Sequence, residues 1–219
     1  MIIMPSNHNS MRMGYWLGVG YKVGWLISQP IQKTNIKDYS DIIPYSLDNG
    51  RFACWSSNKE WNELEWINML EHCKYLRKKP QWVIVPDVVG DKELTLKDWD
   101  KYIPVVKDIY NYTPAFAVQD GMTPSDVPSE ASVIFVGGSF DWKWKTAEMW
   151  CKEFPYVHIA RVNTINRVWK CHDWGAKSID GTGWFRDGAN AKRMRVLEDY
   201  FENKRTIQTE LPFKWEDEE

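Results

Sequence analysis

Three aspartates stand where short apolar runs stop: Asp48 after Asp41–Leu47, Asp87 after Trp82–Pro86, and Asp180 after Ala176–Ile179. Two further runs end on amide or glycine residues. Ala115–Val118 leads into Gln119-Asp120, and Val133–Val136 leads into Gly137-Gly138. Another, Tyr156–Ala160, leads into Arg161 and Asn163. Paired carboxylates suit glycosyl chemistry, in which one attacks an anomeric carbon and another handles protons on the leaving or entering group. A Gly-Gly pair lets backbone amides approach a flat ligand closely. Each piece also has a purely structural reading. Aspartate is common where strands turn, Asn49-Gly50 favours a turn by itself, Asp87 after Pro86 can cap a loop, and Gln119 can be a satisfied polar core residue. Three carboxylates with an amide and a glycine pair in the same layer point to chemistry.

Such a layer needs strands that run the same way. Most of the apolar runs are separated by stretches with helical spacing, and strands alternating with helices pair in parallel, so their carboxyl ends share one rim. The expected helices are Asn58 to about Lys78, Thr95 to about Tyr110, Asp141–Glu153, Ile165–Trp174 and Ala189–Asn203. In the first of these, Trp61, Leu64, Ile67 and Tyr75 mark the buried face. Pro104 conflicts with the second and should kink or split it. Gly121–Glu130 is too short and too proline-rich for a full helix. Tyr15–Gly20 and Val23–Ser28 read as strands with glycine turns. An open dinucleotide-binding sheet would carry a G-x-G-x-x-G turn after its first strand. Gly14, Gly18, Gly20 and Gly24 lack that spacing, and no Walker sequence occurs. The expected fold is therefore α/β: one compact (β/α)8 TIM-type barrel over residues 1–219, with some helices trimmed.

The chain has 219 residues, enough for one substantial core. No apolar run is long enough to span a bilayer, and Met1–Arg12 does not have the pattern of a signal peptide. The expectation is a cytoplasmic protein with no membrane partner. Cys54, Cys73, Cys151 and Cys171 form no C-x-x-C pair and read as reduced thiols. Cys171-His172 lacks two further ligands, so no metal site is expected. The net charge of −2 argues against a globally basic coat for nucleic acid. It leaves room for local basic stretches, of which Lys74–Lys79 and Arg186–Arg195 are two. Of fourteen tryptophans, Trp61, Trp66, Trp99, Trp150 and Trp169 fall in helical stretches and should pack in the core. Trp142, Trp144, Trp174 and Trp184 sit beside the polar strand ends, where packing is the default and stacking on a base the alternative. His8, His72, His158 and His172 show no partner set and read as structural or exposed.

The ordered series Leu47-Asp48-Asn49-Gly50, Val85-Pro86-Asp87, Val118-Gln119-Asp120-Gly121, Val136-Gly137-Gly138 and Ser178-Ile179-Asp180-Gly181-Thr182 resembles the tRNA-guanine transglycosylase superfamily. It is most similar to the small viral branch, the DpdA-like enzymes that place 7-deazaguanines into DNA. The likeness spans roughly residues 40–190, and His158–Arg186 carries its most specific part. The resemblance implies a barrel that exchanges guanine in DNA for a base such as 7-cyano-7-deazaguanine, through a covalent aspartyl-glycosyl intermediate and with no cofactor. It implies Asp180 as nucleophile and Asp48 as general acid/base. It implies Asp87 as reader of the N1–H and 2-amino edge of the base, with Gln119 and the Gly138 amide donating to its O6 carbonyl. Gly137 would permit close approach, and Arg161 and Asn163 would line the base pocket. The implied partners are DNA with a flipped or single-stranded guanine and the free base; an oligomer is compatible with it. Two departures matter. The tRNA enzymes place a zinc site of three cysteines and a histidine after the nucleophile, whereas this chain has neither residue type beyond Asp180. Asn49 also stands where serine is usual. A tRNA-acting transglycosylase, a simple glycosidase or nucleosidase, and a non-catalytic nucleic-acid-binding barrel are the alternatives.

Overall fold

Along each strand, alternate side chains face opposite ways, and the packing sorts them into two sets. Ile3, Trp25, Ile27, Tyr45, Leu47, Val83, Phe116, Val118, Ile134, Val136, Val157, Ile159 and Ile179 join the large cluster beneath the helices. Met4, Leu26, Ile84, Ala115, Ala117 and Val133 form a second, smaller cluster with Trp82, Phe135 and Tyr156. A sheet buried on both faces with a separate inner core is a barrel filled by side chains. The computed structural model describes residues 1–6, 10–28, 41–184 and 191–205. Its eight strands are β1 (Ile2–Pro5), β2 (Trp25–Ile27), β3 (Tyr45–Leu47), β4 (Val83–Ile84), β5 (Pro114–Val118), β6 (Val133–Val136), β7 (Val157–Ile159) and β8 (Ser178–Gly181). All pairings are parallel, in the order β1-β8-β7-β6-β5-β4-β3-β2. The two edges nearly meet. The Ile3 N–H donates to Lys22 O at 3.0 Å and the Gly24 N–H donates to Ile3 O at 2.9 Å, a bridge between β1 and the approach to β2. The expected (β/α)8 barrel is the observed one.

Seven α-helices are described: α1 (Ser10–Gly18), α2 (Arg51–Ser56), α3 (Glu63–Lys74), α4 (Lys92–Pro104), α5 (Phe140–Glu153), α6 (Ile165–Asp173) and α7 (Ala191–Phe201). Several sequence-based boundaries move. Residues 10–18 form a helix, not the strand expected over Tyr15–Gly20; Met13 and Trp16, three apart, are its buried side. The helix expected from Asn58 begins instead at Glu63, where the Asn62 side chain accepts the Leu64 and Glu65 amides. Its buried face is Trp66, Met69, Leu70 and Cys73, while Leu64 and Tyr75 are 66% and 76% exposed, so the expected phase was rotated. Asp91, not Thr95, caps α4; the Thr95 hydroxyl exchanges bonds with the Val88 backbone. Pro104 does disturb its helix: the chain changes to a π-helical turn at Val105–Ile109, as expected where proline offers no N–H. The segment Gly121–Glu130 holds only a short 3-10 turn at Pro124–Asp126.

Lys143 on α5 is fully buried and donates to Ala160 O at 2.7 Å. Burial pushes its amine down to about 7, with Arg161 adding repulsion. Between that value and the ordinary 10.5, the unfolded chain holds a proton that the folded chain has released. Stability should therefore rise with pH across that window, by up to ~1.4 kcal/mol per unit. Lys143→Met fills similar space without a charge. Urea unfolding of both proteins at pH 7 and pH 9 should show the variant losing ~2 kcal/mol of that rise. Parallel behaviour of the two would mean that Lys143 does not titrate there.

Candidate active site

The inward parity of the strands carries over into the residues that follow them. Ser6 extends the Met4 side of β1, Asp48 the Ser46 side of β3, Gln119 the Ala117 side of β5, and Gly137 the Phe135 side of β6. On β8, Ser178 and Asp180 share the inner face. The Asp48, Asp87 and Asp180 groups all lie at the carboxyl end of the barrel, after β3, after β4 and in β8.

Asp180 is buried and held on three sides. Its Oδ1 lies 3.0 Å from His158 Nε2 and accepts the Arg161 N–H at 3.1 Å; its Oδ2 accepts the Ser6 hydroxyl at 3.2 Å. His158, read from sequence as merely structural or exposed, is neither incidental nor exposed. It is fully buried in the barrel, its Nδ1 lies 2.8 Å from Ser178 Oγ, and its ring stacks on Phe135 at 5.0 Å with Trp82 edge-on at 4.9 Å. The carboxylate only accepts, so Nε2 carries the proton and donates to Asp180. On its other side the ring meets the Ser178 hydroxyl through Nδ1.

Asp87 is clamped by two amides. Asn49 Nδ2 donates to Oδ1 at 2.7 Å and Gln119 Nε2 donates to Oδ2 at 2.6 Å. Gln119 Oε1 in turn accepts the Gly90 N–H at 3.0 Å, which fixes which end of the amide faces Asp87. Among the described residues, the second Gln119 Nε2 N–H meets no acceptor. Burial pushes the Asp87 carboxyl up, against the opposing pull of Asn49 and Arg51. Asn49 also accepts the Arg51 N–H at 2.9 Å and donates to Val85 O at 3.2 Å, so it ties the Asp48 loop to Asp87.

Asp48 accepts the Gly50 N–H at 3.1 Å, and keeps part of its surface open to the mouth. Burial raises its carboxyl to about 7, the Gly50 bond opposes that, and the charges of Asp180 and Asp87 add to it. Asp48 thus feels the other two carboxylates across the mouth. On the β2–β3 side, the buried Ser28 and Ser46 hydroxyls find no hydrogen-bond partner among the described residues.

The glycine pair after β6 behaves as close approach requires. Gly138 has φ +70, and a Cβ there would meet Asp120 Oδ2 and the Trp142 ring at 2.7 Å. Asp120 Oδ2 accepts the Ser139 N–H at 2.6 Å, which holds this turn in place. Among the described residues, the buried Gly138 N–H meets no acceptor. A Cβ on Gly137 would stand 3.4 Å from Gln119 Nε2, so the two expected carbonyl donors are neighbours. Arg161 is also at the mouth, half-buried, with φ +56. A left-handed arginine costs roughly 1 kcal/mol or more, a strain that clusters at functional sites. Asn163 is placed differently: it is exposed, its Oδ1 accepts the Gly183 N–H at 2.9 Å, and it bonds to none of the three carboxylates among the described residues. Trp184 is buried, with Nε1 donating to Val162 O at 2.9 Å, so it packs and offers no stacking face.

Of the other expected features, His8, Arg186 and the start of the helix expected from Ala189 lie outside the described residues. No group of three or more His, Cys, Asp or Glu able to hold a metal occurs among the described residues, and no described helix is long and apolar enough to cross a membrane. Comparison of the chain with protein-family models gives no match, and comparison with curated proteins gives none either.

Proposed function

We propose that this barrel exchanges guanine in DNA for a free 7-deazaguanine base, such as 7-cyano-7-deazaguanine, by two displacements at C1′ of one nucleotide. The observation that supports it best is the division of labour among the carboxylates at the mouth. Asp180 is pinned through Oδ1 and left with one lightly engaged oxygen. Asp48 holds a carboxyl raised to about 7. Asp87 is buried and aimed by two amides. In the first displacement, Asp180 Oδ2 forms a bond to C1′ as the C1′–N9 bond breaks, and Asp48 gives its proton to the departing guanine. In the second, Asp48 takes the N9 proton of the incoming base, N9 bonds to C1′, and the ester bond breaks to free Asp180. Two inversions return the β configuration, as in retaining glycosidases. The base is read by acceptors against donors: Asp87 faces the N1–H and 2-amino edge, while the Gly138 N–H and the spare Gln119 N–H face the O6 carbonyl. The target base must leave the stack to reach this site, flipped or single-stranded.

The exchange also accounts for the proton. While Asp180 is ionised, burial and that neighbouring charge both favour protonated Asp48. Esterification removes the charge of Asp180, so Asp48 then holds its proton less firmly and is ready to act as a base. Release of guanine should accordingly fall as pH rises through about 7, and capture of the new base by the preformed adduct should rise with an inflection below that point. Single-turnover rates of the two halves, measured from pH 5 to 9 with labelled DNA, check this. Identical profiles for both halves would remove Asp48 from the proton step. The function itself is tested by nucleoside mass spectrometry of DNA incubated with the protein and 7-cyano-7-deazaguanine. Incorporation into tRNA instead, or release of guanine with no acceptor, would replace the reading with one of the alternatives.

A further inference from the structure

Lys143 belongs to α5, the helix that follows Gly138, and it is fully buried. Its Nζ donates to Ala160 O at 2.7 Å and makes no ion pair with a carboxylate among the described residues. The rings of Trp144 and Phe140 are centred 5.4 and 5.9 Å from it. Taking such a group out of water costs several kcal/mol, which an apolar side chain of the same size would avoid. The carbonyl that it reaches has a particular place in the sheet. In a parallel ladder the bonds of one strand recur at every second residue. Between β6 and β7 the Ile134 N–H donates to Tyr156 O at 3.0 Å, and the Ala160 N–H donates back to Val136 O at 3.2 Å. Two steps on from the first of these bonds, the Gly138 N–H would donate to Ala160 O. That rung is missing among the described residues. Lys143 is on the carbonyl instead, and the chain turns away at Gly138 with φ +70.

The same peptide unit also reaches the nucleophile. Its carbonyl is that of Ala160, and its N–H is that of Arg161, which donates to Asp180 Oδ1 at 3.1 Å. A peptide is planar, so a group that fixes the carbonyl also fixes where the N–H points. We infer that Lys143 is a positioning residue: it takes the Ala160 carbonyl, so that the ladder stops one rung early, the Gly138 N–H is left to a ligand and the Arg161 N–H is held on Asp180. Without the lysine, the Ala160 carbonyl lacks a donor, and the Gly138 N–H is next in register. A glycine can swing its amide into that rung at little conformational cost, and one buried hydrogen bond is gained. An amide bonded within its own sheet is then lost to the O6 carbonyl of a base. The identity of that ligand rests on the base-exchange reading; the broken rung does not.

Amide hydrogen exchange of the whole isotope-labelled chain, followed by NMR, reads the rung directly. In the wild type the Gly137 N–H, bonded to Val118 O at 3.2 Å, should exchange slowly, and the Gly138 N–H about tenfold faster or more. In Lys143→Met the Gly138 N–H should slow by about tenfold or more while Gly137 keeps its rate. A lysine that only supports the fold would give the opposite, with both amides quickened. Lys143→Gln, one bond shorter than lysine, serves if the methionine variant unfolds, and the same slowing is expected. Slow exchange at Gly138 in the wild type would overturn the inference, and so would a Gly138 rate that fails to drop in the folded variant. In base exchange the variant should raise the KM for the free base by about tenfold, the scale of one lost hydrogen bond, and slow formation of the adduct. Normal values of both, with the rung closed, would remove Lys143 from the site. If the rung closes but the wild type exchanges no base, Lys143 keeps its hold on the ladder and the base-exchange reading falls.

Discussion

Asp180→Asn should leave the barrel folded and reduce base exchange to below about one ten-thousandth of the wild-type rate, with no covalent protein–DNA adduct. The substitution isolates chemistry from structure. Asparagine keeps Oδ1, which can still accept from His158 Nε2 and from the Arg161 N–H, the two contacts at 3.0 and 3.1 Å. Its new NH2 group takes the place of Oδ2 and can donate to the Ser6 hydroxyl oxygen, reversing the bond now at 3.2 Å. What disappears is a nucleophile: an amide oxygen or nitrogen does not attack C1′ at a useful rate. Asp180→Ala is the poorer experiment, because it strands His158 and the Arg161 N–H without an acceptor in a buried place, at about 1–3 kcal/mol. The adduct is sought by trapping the reaction without an incoming base and resolving protein from DNA under denaturing conditions. Full activity in Asp180→Asn would end the assignment of the nucleophile. A wild-type yield of adduct in the variant would end it equally, because another residue would then carry the covalent bond.

The barrel was readable because its strands are short runs buried on both faces, each closed by a polar or glycine residue. The run Val133–Val136 before Gly137-Gly138 is the clearest case, and its observed bounds are unchanged. Helix phase was harder where two caps compete. Asn58 and Asn62 both precede an apolar stretch, but Asn58 sits at φ 50 beyond the end of α2, and Asn62 caps α3. Choosing the first rotated the buried face from Trp66, Met69, Leu70 and Cys73 onto Leu64 and Tyr75. Residues 10–18 misled through Gly14 and Gly18, which look like turn residues. Neither would place a Cβ within 4 Å of another group, so both ride on the open side of α1. In the site, the three aspartates announced themselves because each ends a strand. His158 did not, because its partners Ser178 and Asp180 are 20 and 22 residues away. Only the pairing of His158 with Ser178 across β7 and β8 brings them together. Asn49, which stands where the resembled motif has serine, supplies one of the two donors that aim Asp87. A departure from a motif can be a local solution that the motif alone does not reveal.

The His158 bond to Asp180 is the second place where a large effect is expected. His158→Phe should lower the rate of adduct formation by about a hundredfold, with little change in the KM for DNA or base. Phenylalanine can keep the stack on Phe135 and the edge contact with Trp82, so packing is close to conserved. It cannot donate to Asp180 Oδ1, nor bond to the Ser178 hydroxyl. Asp180 is then steered only by the Arg161 N–H and by Ser6, and is free to turn its second oxygen away from the line of attack. A misplacement of the nucleophile by a fraction of an ångström is enough for losses on this scale. The expected cost in stability is smaller, about 1–3 kcal/mol for a buried hydroxyl left short of a partner. A purely structural histidine would give the reverse pattern, a lowered melting temperature with normal turnover of whatever protein remains folded. His158→Gln supplies the control. Its side-chain amide can reach toward Asp180 and donate, so it should recover part of the rate that phenylalanine loses, while Asp180→Asn combined with either change should show no further loss. Equal rates for the phenylalanine and glutamine variants would mean that the ring, and not its N–H, is what the nucleophile needs.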